Sequence, residues 1–393
     1  MAVKIQNAYI TRMLCSGDCA DQQVTRLIAT TLEISGSVGS TSCSPPSPPP
    51  SSPPPSWSPS SLGATANTFT YDDFIDVGIN VSYVVYFNNK LQAFSNGGNN
   101  YLYESTDGGD TWSYNSTAGT GLSCWYATPP LVESNRILWS NGAGNGSKLY
   151  QWTGTGTASE VSLLNITISA SGILRVVRKI GSYYYLSITD NSYDKVYRST
   201  SLTGMWTEVY SVSSSFSGVT DVVEYNGVIM IIHSNGSGIR TTNDFVTQTT
   251  MSGDAGMSIV GDGDGNWLLA GSGTATDNKG RYSEDNGATW TETTGTLRPP
   301  SETTGNINVR EGSLIKVYNK WLWLSSNYNS GYNSLISTTD PFVASPTTVL
   351  EKNFVGGSPK SDYDVNSISL IGNRCFVGGR EGNNYGVHIF DIT

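Results

Sequence analysis

Seven times along this sequence an apolar run meets a short polar turn and then a second apolar run. The units are Val84–Leu91, Leu131–Leu138, Val177–Tyr184, Val223–Ile229, Ile259–Leu268, Ile315–Leu322 and Leu370–Phe376. From turn to turn they recur about every 40 to 50 residues, the length of a four-stranded antiparallel sheet with its connections. One such sheet cannot cover both of its faces, so neighbouring units must stack and bury them. Seven units predict an all-β chain folded as a seven-bladed β-propeller over 68–393.

Two of the units carry a shared turn. Ser105-Thr106-Asp107-Gly108-Gly109-Asp110-Thr111-Trp112 and Ser283-Glu284-Asp285-Asn286-Gly287-Ala288-Thr289-Trp290 both spell S-x-D-x-G-x-T-W. The Asp can accept from nearby backbone N–H groups, the Gly can take positive φ, and the Trp can pack the turn onto its own sheet. The pattern resembles the Asp-box of sialidase-type (BNR) β-propellers. That resemblance implies a turn between the third and fourth strands, on the face away from the central ligand site. It makes Asp107, Gly109, Trp112, Asp285, Gly287 and Trp290 structural residues. Degenerate versions are expected at Ser199–Trp206, Thr241–Phe245 and Ser337–Phe342.

The last unit offers only three strands, over 366–371, 374–377 and 385–392. The stretch 68–77, with apolar Phe69, Tyr71, Phe74 and Ile75, is expected to supply the fourth and close the ring, removing two open sheet edges.

Before the propeller, residues 1–43 hold β-prone runs at Lys4–Ile10 and Thr25–Ser35 without a visible hairpin of their own. Residues 44–67 are a Pro/Ser-rich linker. Nine of the sixteen prolines fall between Ser44 and Pro59, which favours a polyproline II stalk on the order of 50 Å long. Met1–Ile10 lacks an apolar core of signal-peptide length, so no ordinary secretory route is expected. The plan of anchor, stalk and head resembles the fibres and spikes of tailed phages. It implies a virion attachment protein on the particle surface, held through 1–43 by a virion platform protein or by self-association.

Net charge is −10 with no Lys/Arg cluster, which argues against nucleic-acid binding. No run approaches the length of a transmembrane helix. Cys15, Cys19, Cys43, Cys124 and Cys375 suggest free thiols or one local disulfide, and Cys15–Cys19 alone makes a poor zinc site. No cofactor or metal is expected.

Chemistry on the head is sparse. A sialidase-like glycosidase, the enzyme alternative, needs three arginines on the substrate carboxylate, a tyrosine nucleophile with a glutamate, and an acid/base aspartate. Arg175, Arg178, Glu224, Arg310, Glu311 and Arg380 are the nearest candidates, and the family's N-terminal arginine motif is absent. Other glycosidases need two facing carboxylates, which Asp190, Asp221, Glu224, Asp254 and Asp364 could supply. His233 and His388 are the only histidines, and His233 is expected as a surface polar residue on a loop. Loops carrying Asn and Tyr suit a glycan. Trp125, Tyr126, Tyr193, Tyr328, Tyr332 and Arg380 are the expected ligand-binding residues of a non-enzymatic head that binds a host-surface glycan or receptor. A protein-binding assembly propeller is the further alternative.

Overall fold

The computed structural model describes the backbone of four strands in 2–35. It then describes residues 68–95, 101–118, 124, 129–141, 147–190, 193–213, 218–234, 237–242, 244–251, 258–270, 279–297, 307–309, 312–327, 332–343, 345–355 and 365–393. The chain divides into two compact units, Met1–Pro54 and Pro55–Thr393. In the first, Ala2–Ile10 pairs antiparallel with Leu27–Ser35, and Met13–Leu14 pairs with Gln23–Val24. The two β-prone runs thus satisfy each other's backbone. This corrects the expectation that they lack a hairpin, because an intervening pair of two-residue strands carries the chain back.

The second unit is a seven-bladed β-propeller. In blade one, Val81–Phe87, Lys90–Ser95, Leu102–Ser105 and Ser113–Tyr114 pair in chain order. Blades two to five repeat that order, starting at Leu131–Glu133, Ile173–Ile180, Val219–Tyr225 and Ser258–Gly261. In blade six the first strand is split into Ile307–Val309 and Ile315–Val317, both pairing with Lys320–Asn327. Asn88 and Asn89 (φ 50° and 59°) and Asn226 and Gly227 (φ 51° and 75°) make tight turns between first and second strands. Two successive residues at positive φ match the twist of the flanking strands.

There is no single core. Seven clusters of buried side chains fill the seven junctions between neighbouring blades, such as Phe94, Leu102, Trp139 and Trp152 between blades one and two. Leu322, Leu335, Val377 and Phe390 do the same between six and seven. The other junctions follow suit. Second strands such as Val228–His233 and Trp267–Ala270 are therefore covered on both faces and read as nearly continuous apolar runs rather than alternating ones.

Blade seven consists of Val365–Ile371, Arg374–Glu381 and Asn384–Ile392, completed by Phe69–Asp76. The closing strand pairs Phe69 with Ile392, Phe74 with His388 and Asp76 with Gly386. Thr68 and Thr393 exchange both backbone hydrogen bonds, at 2.9 and 3.1 Å. The ring closes as its alternating aromatic residues lead one to expect.

Two local expectations change. Gly378 and Gly379 continue the strand expected over 374–377, and Gly378 answers to packing: a Cβ there would sit 2.4 Å from the Val81 carbonyl oxygen of blade one. His233 ends the strand Val228–His233 and is buried, not a surface residue, because Tyr210 and Asp194 of blade three close over it.

Candidate functional site

The two motif turns have the same internal geometry. Thr111 donates its backbone N–H and its hydroxyl to Asp107 at 3.0 and 2.5 Å, and Thr289 does so to Asp285 at 2.8 and 2.6 Å. Ser105 and Ser283 accept from the N–H of Gly109 and Gly287, and the Trp112 and Trp290 indoles donate to those glycines' carbonyls. The Thr289 hydroxyl and N–H pull the Asp285 carboxyl down to about 2. Burial works the other way at Asp107, but the bonds from Thr111 and Ser105 still leave it below the usual carboxylate range.

Each turn also grips the preceding blade. Arg374 of blade seven donates Nη1 to the Gly108 carbonyl at 2.9 Å, and Arg240 of blade four donates Nε to the Asn286 carbonyl at 2.9 Å. Gly108 and Asn286 occupy the same motif position. At the junction of blades three and four Arg198 pairs with Asp244 and lies over the Tyr183 ring. Between two and three, Glu133 accepts from Lys179 and Tyr184. Burial opposes ionisation of Glu133, yet these donors and Arg136 hold it at about 2. Polar clasps thus join four of the seven pairs of neighbouring blades on this face.

The innermost strands carry the candidate catalytic groups. Arg178 makes a two-pronged pair with Asp221, Nε to Oδ1 at 3.0 Å and Nη2 to Oδ2 at 3.1 Å, and donates Nη1 to the Pro129 carbonyl. It ties blades three and four to the strand entering blade two and is already committed to an internal carboxylate. The Arg175 guanidinium packs on Gly218, where a Cβ would meet it at 2.7 Å. Glu224 accepts from the Gly227 N–H at 2.8 Å and serves the turn. Arg310, Glu311, Asp254 and Asp364 lie outside the described residues, and Asp190 caps a turn by accepting from the Tyr193 N–H. Among the described residues no three His, Cys, Asp or Glu converge as metal ligands. Cys124 and Cys375 are free thiols in separate cores, and burial pushes Cys124 up to about 12 and Cys375 up as well.

Three of the expected ligand-binding residues are among those described, Tyr193 on blade three, Tyr332 on blade six and Arg380 on blade seven. Tyr193 begins a strand of blade three, is 48% exposed, and has Lys195 Nζ 5.7 Å from its ring centre. Arg380 is buried in blade seven, where it donates Nε to the Gly382 carbonyl and lies over Tyr385. Tyr332 starts a strand, and Trp125, Tyr126 and Tyr328 lie outside the described residues. Sequence reasoning did not single out Tyr101 and Tyr114, which meet edge to face at 5.2 Å and are 39% and 48% exposed.

Two rim cavities were also not foreseen. One, of about 450 Å³, lies between blade two and the segment leading to blade three, walled by Val161, Leu163, Ile166 and Ile168 with Lys148 and Glu160 at its edge. Beside it Leu164 and Met205 form a backbone bridge and are 51% and 64% exposed. In the sequence each adjoins another large apolar residue, Leu163 and Trp206, and nothing there marks it as exposed. The other, of about 290 Å³, lies between blades four and five and is lined by Arg240, Arg281, Thr249, Thr250, Trp290 and Glu292, among others.

No family model matches the sequence, and no curated protein matches it. Among solved structures it is similar to YCF48 bound to D1 peptide, with TM-score 0.54 and 15% identity, covering 86% of this chain and all of that one. The WD40 β-propeller domain of Doa1 is similar with TM-score 0.53 and 13% identity over 82% of this chain and 97% of its own. YCF48 from Cyanidioschyzon merolae gives TM-score 0.53 and 12% identity over 82% and 98%. At such identities the likeness is one of fold.

Proposed function

We propose that this chain is a non-catalytic binding propeller that docks another protein within an assembly. The carrying observation is the apolar surface at the junction of blades two and three, where exposed Leu164 and Met205 adjoin an apolar cavity. Large exposed apolar side chains grouped beside a cavity mark a contact surface, whereas isolated ones are ordinary. The committed state of Arg178 supports a non-catalytic head, since an arginine already paired with Asp221 has no fork left for a substrate carboxylate. The similar propeller YCF48, with its D1 peptide, uses this fold to hold a peptide. Cross-linking of the native assembly, with Leu164→Glu/Met205→Glu beside the parent chain, tests the reading. Loss of one partner's cross-links is expected, and an unchanged pattern overturns it.

A second reading makes the propeller the display head of a virion, attached through 1–43, spaced by 44–67 and exposed on the particle surface, with a host-surface glycan as ligand. Exposed Tyr193 and the Tyr101–Tyr114 pair favour it, because flat aromatic faces stack on sugars. Purified particles should then contain the chain, and the head should bind host polysaccharide without releasing reducing sugar. Turnover lost in Glu224→Gln would point instead to a glycosidase.

A further inference from the structure

The two motif turns differ at one position that matters to their clasps. In blade one the residue after Gly109 is Asp110, and its Oδ1 receives Arg374 Nη1 at 3.0 Å, next to the bond to the Gly108 carbonyl. In blade five the equivalent residue is Ala288. Arg240 keeps the carbonyl bond to Asn286 but has no carboxylate. Among the described residues its terminal nitrogens reach no acceptor, whereas Arg178, Arg198 and Arg374 each meet an aspartate. Where the Asp110 side chain would project there is instead the cavity of about 290 Å³, with Ala288 and Arg240 in its wall.

The rest of the cavity suits an acidic group on an apolar stem. The Trp290 ring and Met251 give it apolar wall, Thr249 and Thr250 bring hydroxyls, and Arg281 adds a second guanidinium. Glu292 is the acidic member, 3.5 Å from Arg281 Nη2. One side is Thr249–Met251, the outermost strand of blade four, which pairs inward with Gly238–Thr241. Its outer edge offers main-chain groups to an added strand, whose alternate side chains would face the cavity.

We propose that this cavity takes a glutamate or aspartate of a partner protein, presented on an extended segment laid along Thr249–Met251. The incoming carboxylate takes the place that Asp110 fills in blade one. The proposal rests on the reading of the propeller as a protein-docking platform. It concerns a different surface from Leu164 and Met205, so its failure leaves that reading's own test untouched.

The test is calorimetric titration of the full chain with a capped peptide of alternating Val and Glu, and separately with sodium glucuronate. Arg240→Gln retains a donor for the Asn286 carbonyl but removes the charge. Ala288→Asp supplies the carboxylate from within. Both should weaken peptide binding at least about tenfold, and Glu292→Gln should strengthen it. Circular dichroism checks that each variant folds, and Ala288→Asp decides the matter if Arg240→Gln does not. Equal peptide affinity in parent and Ala288→Asp, no peptide binding by the parent, or tighter binding of glucuronate than of peptide would each overturn the proposal.

Discussion

The hydroxyl of Tyr71, on the strand that closes the ring, lies 3.5 Å from Nδ1 of His388, on the strand it covers. Nε2 of the same imidazole bonds to the Arg380 carbonyl, so Nε2 carries the proton and Nδ1 accepts. Phe74 and Phe354 flank the ring at 4.7 and 4.6 Å. Burial drives the imidazole down to about 4, and nearby Lys352 pushes the same way against the Arg380 bond.

Acid should therefore loosen ring closure first. The folded state holds His388 neutral while the unfolded chain protonates near pH 6.5, so stability is full above that pH and falls as pH drops toward 4. The expected loss is about 2 kcal/mol by pH 5. Urea denaturation at pH 7.5 and 5 measures it, and His388→Phe should remove most of the difference.

A second, lower acid transition belongs to the motif turns. Asp285 and Asp107 are both depressed, so their contribution is present above the ordinary carboxylate range and is lost on acidification below it, for Asp285 as pH falls through about 2. At neutral pH, Asp107→Ala should cost about 1–3 kcal/mol by stranding the Thr111 N–H and the Ser105 and Thr111 hydroxyls. Asp107→Asn should cost less because one acceptor oxygen remains.

Gly109→Ala should be worse than an ordinary glycine substitution. Its φ is +106°, and a Cβ would meet Phe376 at 3.0 Å and Ile389 at 3.1 Å, both in the core shared with blade seven. Strain and overpacking together should cost about 2–4 kcal/mol in chemical denaturation. At Gly287 the obstacle is the methyl end of Met230, which can swing aside, so Gly287→Ala should cost less.

Deleting 68–77 should leave blade seven with a bare edge and produce a chain that self-associates, visible by sedimentation. Deleting 1–54 should leave the propeller's melting temperature unchanged, because those residues form a separate compact unit.

The blades were legible because each is built from local strand–turn–strand units whose apolar runs survive in sequence. The turn expected within Val84–Leu91 falls at Asn88–Asn89, between Val81–Phe87 and Lys90–Ser95. The closing strand was legible for the same reason. What escaped was everything set by contacts between blades. The Gly108 carbonyl finds Arg374 across 266 residues, and Gly378 reads as a loop residue until Val81 is seen against it. The Leu164–Met205 surface and the cavity beside Arg240 are likewise products of neighbouring blades.

The closing pair Tyr71 and His388 is separated by 317 residues. At ribosomal rates of about 5–20 residues per second, the early strand waits roughly 15 to 60 s for its mate. During that time Phe69, Tyr71 and Phe74 form an adhesive segment on a growing chain, available to any other nascent strand. Asp72, Asp73 and Asp76 are interleaved with those aromatics, and three negative charges on one short strand repel another copy of itself. In the finished ring Asp72 pairs with Arg374 and Asp76 accepts from the Gly78 N–H, and on the growing chain the same acidic residues act as guards.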